Sequence, residues 1–166
     1  MGPIGHLGIT LGAAHVSNRA SRLKLNLWLV ALSSLLPDLV DKPLYLLGIG
    51  DGRYVGHTLL FAFLVAAAVS LKNKLYGLSV LFGAVMHLIF DLGGFVPWLY
   101  PFVHHAYTVD FDPGGIYERL STGTDILTGV YYSTFYLAAE LVGLLVLLGL
   151  LGRFLWRYFQ ARRATE

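Results

Sequence analysis

Apolar residues in this chain come in blocks separated by short polar stops. The first block, Ile4 to Val16, is followed by the basic stretch Arg19–Lys24; the second, Leu25 to Leu36, ends at Pro37. A short patch from Leu44 to Ile49 leads to a turn at Gly50-Asp51-Gly52, marked by its glycines. Val55 to Leu71 and Leu75 to Leu92 are longer blocks of 17 and 18 residues, and the polar triplet Lys72-Asn73-Lys74 between them predicts an antiparallel helical hairpin. Gly93 to Thr124 shows no periodicity; its Trp98 and Tyr100 suit a membrane–water interface. The last block, Asp125 to Leu151, carries Asp125, Tyr132, Tyr136, Glu140 and Gly143 at roughly helical spacing, a polar and small stripe expected to face other helices. The pattern predicts an all-α, polytopic membrane bundle of about five apolar helices, with a long interfacial loop before the last. It forms one domain over residues 1–166, ending in a basic cytoplasmic tail from 153 to 166. Blocks one and two are short for complete spans, which need about 20 residues.

Composition sharpens this picture. The chain is 56% hydrophobic and 13% charged, where a soluble domain carries about 25% charged residues. A net charge of +2 lends no support to nucleic-acid binding. The absence of cysteine excludes disulfides and cysteine-ligated metals, leaving His, Asp and Glu as the main ligand types. No Lys or Arg precedes the first apolar block, the reverse of a secretory signal, so that segment is expected to be retained. Five alternating crossings put nine of the twelve Lys and Arg on one side, and the positive-inside bias makes that side cytoplasmic. The expectation is a multi-pass cell-membrane protein with its N-terminus outside and its C-terminus inside.

The same alternation gathers candidate ligands at the outer face. His87 and Asp91 lie four residues apart, about 40° around a helix, and place a nitrogen and an oxygen donor on one face. Ionisable groups in apolar, membrane-length blocks are costly and usually functional. His6, Asp38, Asp41 and His57 fall at the same end, as do His104, His105, Asp110, Asp112, Glu118 and Asp125 of the last loop and helix start. We therefore expect a divalent metal, with zinc the leading choice, one or more ions held by His6, Asp38, Asp41, His57, His87 and Asp91; the remaining six are further candidates for metal or substrate contact. His15 is set aside because it lies about 180° from His6 on a helix and towards the basic end. Glu140, 15 residues beyond Asp125, is expected to lie about 22 Å from the outer layer, as a hydrogen-bonded or protonated bundle residue.

Four short motifs occur in order: Gly5-His6-Leu7, Leu36-Pro37-Asp38-Leu39-Val40-Asp41-Lys42-Pro43, Arg53-Tyr54-Val55-Gly56-His57-Thr58 and His87-Leu88-Ile89-Phe90-Asp91. Their order resembles that in the YdjM-like, membrane-bound, metal-dependent hydrolases. Many members carry a histidine just before the position of Arg53 or an aspartate at that of Val40; this chain has Asp51-Gly52 and, one step on, Asp41. More remotely, the pattern is similar to zinc-dependent phospholipase C and the P1-type nucleases, whose zinc clusters use His and Asp. The resemblance implies hydrolysis of a phosphoester, a phospholipid or lipid-linked substrate being the leading class. His57 or an acidic partner, Asp41, would accept the proton and Arg53 would hold the phosphate. The rival is a metal-binding transporter or a non-catalytic membrane scaffold. Transporters favour midplane sites and internal repeats, and neither pattern is visible here. A third reading leaves the His and Asp residues hydrogen-bonded inside a bundle. Membrane lipids are the expected partners, and the sequence leaves the oligomeric state open.

Overall fold

Pro3 opens the first helix, α1 (Pro3–Ala20), where its missing N–H costs nothing. The chain then folds back: Asn18 exchanges two hydrogen bonds with the backbone of Leu25, and Asn26 caps α2 (Leu27–Ser33) by accepting from the amides of Trp28 and Leu29. The expected second helix breaks at Ser34 and Leu35 and resumes as α3 (Leu36–Leu46). Proline supplies the cause: Pro37 has no N–H for the carbonyl of Ser33, and its ring clashes with an uninterrupted ladder. The block from Leu25 to Leu36 is therefore not one crossing helix. Thr58 caps α4 (Leu59–Ser70), and Asn73 caps α5 (Lys74–Phe90), so these two form the expected hairpin. The last helix, α6 (Thr134–Arg163), runs without interruption through the basic residues expected to form a tail. This computed structural model describes residues 2–21, 23–50, 52–92, 96–107 and 134–163.

Central in the bundle is α5, which packs against α4, α2, α1 and α3; α6 packs against α1. Small residues let the backbones approach. Gly83 sits where a Cβ would strike Ser33 and the carbonyl of Val30, and Gly8 sits against the backbone of Gly143. Contacts pair Gly5 with Glu140, Gly8 with Gly143 and Gly12 with Val146, so α1 and α6 run parallel. After α5, the described loop turns back on itself: Val96 and Tyr107 pair in both directions, and the carbonyl of Trp98 accepts from Leu59 at the start of α4.

The distribution of polarity is inverted relative to a water-soluble domain. Buried positions include His6, Asp41, His57, His87 and Asp91, whereas Trp28 is 82% exposed and Leu71 91%. Large apolar side chains also cover the outside of α6. Such a surface suits lipid rather than water. Among the described residues one helix is long and apolar enough to cross a membrane, over Leu137–Arg163; α4 and α5 are shorter apolar helices.

Candidate metal centre

Four elements meet where α1, the first turn of α3, the loop before α4 and the end of α5 converge. Asp41 organises the loop. Its Oδ1 accepts from the amide of Gly56 at 2.8 Å, and its Oδ2 accepts from the amides of Tyr54 and His57 at 2.7 and 3.1 Å and from His57 Nδ1 at 2.7 Å. Gly56 is required for this approach: a Cβ there would stand 2.7 Å from the carbonyl oxygen of Pro37 and 3.1 Å from the Asp41 carboxylate. The motif from Arg53 to Thr58 is thus a wrap of backbone amides around one carboxylate, with Thr58 starting the next helix.

The histidine protons follow from their partners. A carboxylate accepts, so His57 Nδ1 carries the proton that Asp41 receives, and in the neutral ring Nε2 is a bare acceptor. The carbonyl of Ser34 accepts from His87 Nδ1 at 2.7 Å, so in the neutral ring His87 Nε2 is an acceptor as well. That carbonyl stands at the break before Pro37, at the C-terminal end of α2. The two Nε2 atoms face each other at 3.2 Å. Asp38 Oδ1 lies 3.7 Å from His57 Nε2 and 4.0 Å from His87 Nε2; Asp91 Oδ2 lies 3.4 and 3.9 Å from the same atoms.

Asp38, His57, His87 and Asp91 thus offer four donor atoms all within 4.8 Å of one another, and the group could hold a metal ion. A proton could join one pair of these atoms; a divalent cation would join all four. Tetrahedral bonds of about 2.0–2.2 Å place ligand atoms about 3.3–3.6 Å apart, and the five separations that involve a histidine nitrogen, 3.2 to 4.0 Å, lie close to that range. Each member also has an outer partner, as metal ligands commonly do. Lys42 binds Asp38 Oδ2 at 2.8 Å, Asp41 holds His57, and the Ser34 carbonyl holds His87. His6 Nε2 donates to Asp91 Oδ1 at 2.9 Å, and Arg53 Nε donates to Asp91 Oδ2 at 3.0 Å.

The expected ligands therefore divide. His57, His87, Asp38 and Asp91 form the four-donor set. Asp41 lies outside that set and stands one step back, its carboxylate wrapped by three backbone amides and His57 Nδ1. His6 also stands back: it binds Asp91 and stacks on His87, ring centroids 4.0 Å apart, while its buried Nδ1 has no hydrogen-bond partner among the described residues. Arg53 links the cluster to a cleft of about 410 Å³ lined by Tyr54, Tyr100, His104 and His105. His104 and His105 are exposed on that cleft and lie outside the four-donor set. The Tyr54 and Tyr100 hydroxyls share a 2.8 Å hydrogen bond, which pushes the Tyr54 phenol above its ordinary value. Asp110, Asp112, Glu118 and Asp125 lie outside the described residues.

Glu140 is nearer the cluster than its distance from Asp125 implied. Its Oε2 accepts from the amide of Gly5 at 3.0 Å, one residue from His6, so it caps the first turn of α1 rather than lying deep in the bundle. Sequence reasoning also missed the Ser34 carbonyl. Its only linear signal was the proline three residues on.

Fold and cluster define an all-helical protein, apolar on its outside, with a buried His/Asp centre able to hold a metal. The sequence model of the YdjM inner membrane protein family matches residues 1–164, and the chain belongs to that family. No curated protein and no solved structure matches it.

Proposed function

We propose that this chain is a multi-pass, membrane-embedded metal-dependent hydrolase, acting on a phosphoester at the headgroup level of the bilayer. The observation that carries this reading is the approach of two Nε2 atoms to 3.2 Å, each ring held by its own Nδ1 bond, with two carboxylates beside them. Two nitrogens and two oxygens in this spacing favour zinc. A bound divalent cation supplies Lewis acidity, polarising a phosphoryl oxygen and acidifying water. Asp41 and the Ser34 carbonyl orient the two imidazoles. Asp38, whose side chain is 15% exposed, is the most open of the four, and His57 or Asp41 keeps the role of proton acceptor expected from the sequence. Arg53, 35% exposed and bonded to Asp91, faces the cleft with guanidinium nitrogens suited to a phosphate. The phosphoester class rests on the remote resemblance of the His and Asp pattern to the zinc clusters of phospholipase C and the P1-type nucleases, an expectation from the sequence.

Depth supports an interfacial substrate. The 17 residues of α5 make about 25 Å of helix at roughly 1.5 Å per residue, against a hydrocarbon core of about 30 Å. With Lys72 and Lys74 at one interface, His87 and Asp91 come close to the other. The basic bias makes the centre external: a reporter after Glu166 should read cytoplasmic and one near Gly114 external, and labelling of Lys72 and Lys74 from outside intact cells would overturn this orientation. The function is tested on purified protein in mild detergent. Zinc at about one or more per chain, with hydrolysis of a phosphodiester or phospholipid that a chelator abolishes and zinc restores, is the expected result. Metal without turnover would favour the transporter or scaffold; no metal would overturn both.

A further inference from the structure

The opposite end of the α1–α6 pair carries a second feature. Because the helices run parallel and meet closely at Gly8 and Gly143, they separate towards their C-terminal ends around a groove of about 530 Å³. Its walls are apolar, formed by Ile9, Ala13, Val16, Val142, Val146 and Leu150, and its mouth is basic, formed by His15, Arg19 and Arg153. Arg157, one turn beyond Arg153, lies within electrostatic reach of both Arg153 and His15. No carboxylate pairs with Arg19, Arg153 or Arg157 among the described residues; Asp38, Asp41, Asp91 and Glu140 all belong to the metal end. Like charges converging on an apolar groove repel unless an anion joins them. The exposed apolar side chains of α6, among them Leu145, Leu148 and Leu151, continue the groove into a lipid-facing surface, and Trp156 and Tyr158 mark an interface beside Arg157.

We propose that the groove between α1 and α6 binds an anionic phospholipid, its phosphate held by Arg19, Arg153 and His15 and an acyl chain laid along Val142, Val146 and Ile9. The apolar walls distinguish this ligand from a free anion, and the basic mouth distinguishes it from a zwitterionic lipid. Basic pockets between membrane helices recognise anionic headgroups in this way. The stretch from Ile9 to Arg19 provides about 15 Å of helix to line a chain. The site does not depend on the metal centre.

The test is lipid binding to the purified full chain in detergent, followed by native mass spectrometry, with phosphatidylglycerol, phosphatidylcholine, glycerol phosphate and inorganic phosphate as probes. Phosphatidylglycerol should bind with phosphatidylcholine at least about tenfold weaker. Arg19→Gln and Arg153→Gln should each weaken phosphatidylglycerol about fivefold, near one unit of lipid-surface attraction per arginine. Gly149→Leu keeps every charge, and a Cβ there meets nothing within 4 Å, so it should fill the groove without disturbing the helices and weaken binding at least tenfold. Helical circular dichroism and Tm should stay at the wild-type level in all three, reporting an intact fold whether or not the protein holds metal. Equal binding of the two lipids would overturn charge recognition. Displacement of phosphatidylglycerol by equimolar phosphate or glycerol phosphate would make this a free-anion site and overturn the lipid. Undiminished binding to folded Gly149→Leu would put the lipid elsewhere and overturn the groove.

Discussion

The two ends of this bundle handle charge in opposite ways. At the end that holds the His/Asp cluster, Asp38, Asp41, Asp91 and Glu140 each accept from a hydrogen-bond donor, and four donor atoms gather within 4.8 Å. At the other end, Arg19, Arg153 and Arg157 gather with like charge beside an apolar groove. Burial explains the difference. An ionisable group taken out of water needs partners, so the buried end accumulates caps and hydrogen bonds until its donors are fixed in place. The exposed end has no such requirement and can leave cations for a membrane component.

The largest expected effect tests the first half of that contrast. His87→Ala removes one of the two imidazole nitrogens of the four-donor set and should lower bound metal per chain, measured after removal of loosely held ions, by at least about tenfold. His15→Ala, at the basic end, should leave metal unchanged. Equal metal in wild type and His87→Ala would reduce the cluster to a hydrogen-bonded contact between helices. Asp41→Asn asks whether holding a ligand matters as much as being one. It removes the charge that three amides and His57 Nδ1 share, and metal affinity should fall about 10–100-fold, with a lower Tm even in metal-free protein. Gly8→Ala tests the joint between the two ends. Its Cβ would collide with the Gly143 backbone, and the overpacking should cost about 1–3 kcal/mol, read as a lower Tm and as loss of a crosslink between α1 and α6. Glu140→Gln should do least. The amide oxygen can still accept from Gly5, so metal content should stay within about twofold of wild type and stability within about 1 kcal/mol. Loss of metal in this variant would make the first turn of α1, and with it His6, a determinant of the centre.

Much of the fold was readable along the chain. The stops at Lys72–Lys74 and Pro37, the helices from Lys74 to Phe90 and through Leu151, and the segregation of basic residues all depend on local hydropathy, capping and proline geometry. The six residues nominated as ligands do come together at one end, where α1, α3, the loop before α4 and the end of α5 converge. What each does there was not readable. Asp38 and Asp41 are three residues apart on one helix, yet one points its Oδ1 into the cluster while the other is wrapped by the amides of Tyr54, Gly56 and His57. Spacing fixes depth and face but not the path of a loop 13 residues away. Glu140 was misplaced for a related reason: its depth was counted from Asp125 within its own helix, whereas it is set by the register of α6 against α1, which Gly8 and Gly143 decide by close approach. The sequence alone therefore determined the helices, the polar layer and the basic end, because these follow from neighbours along the chain. Only the tertiary structure decided which atoms meet in the centre, which carbonyl orients His87 and where a groove opens between α1 and α6, because those depend on donors and acceptors meeting across helices.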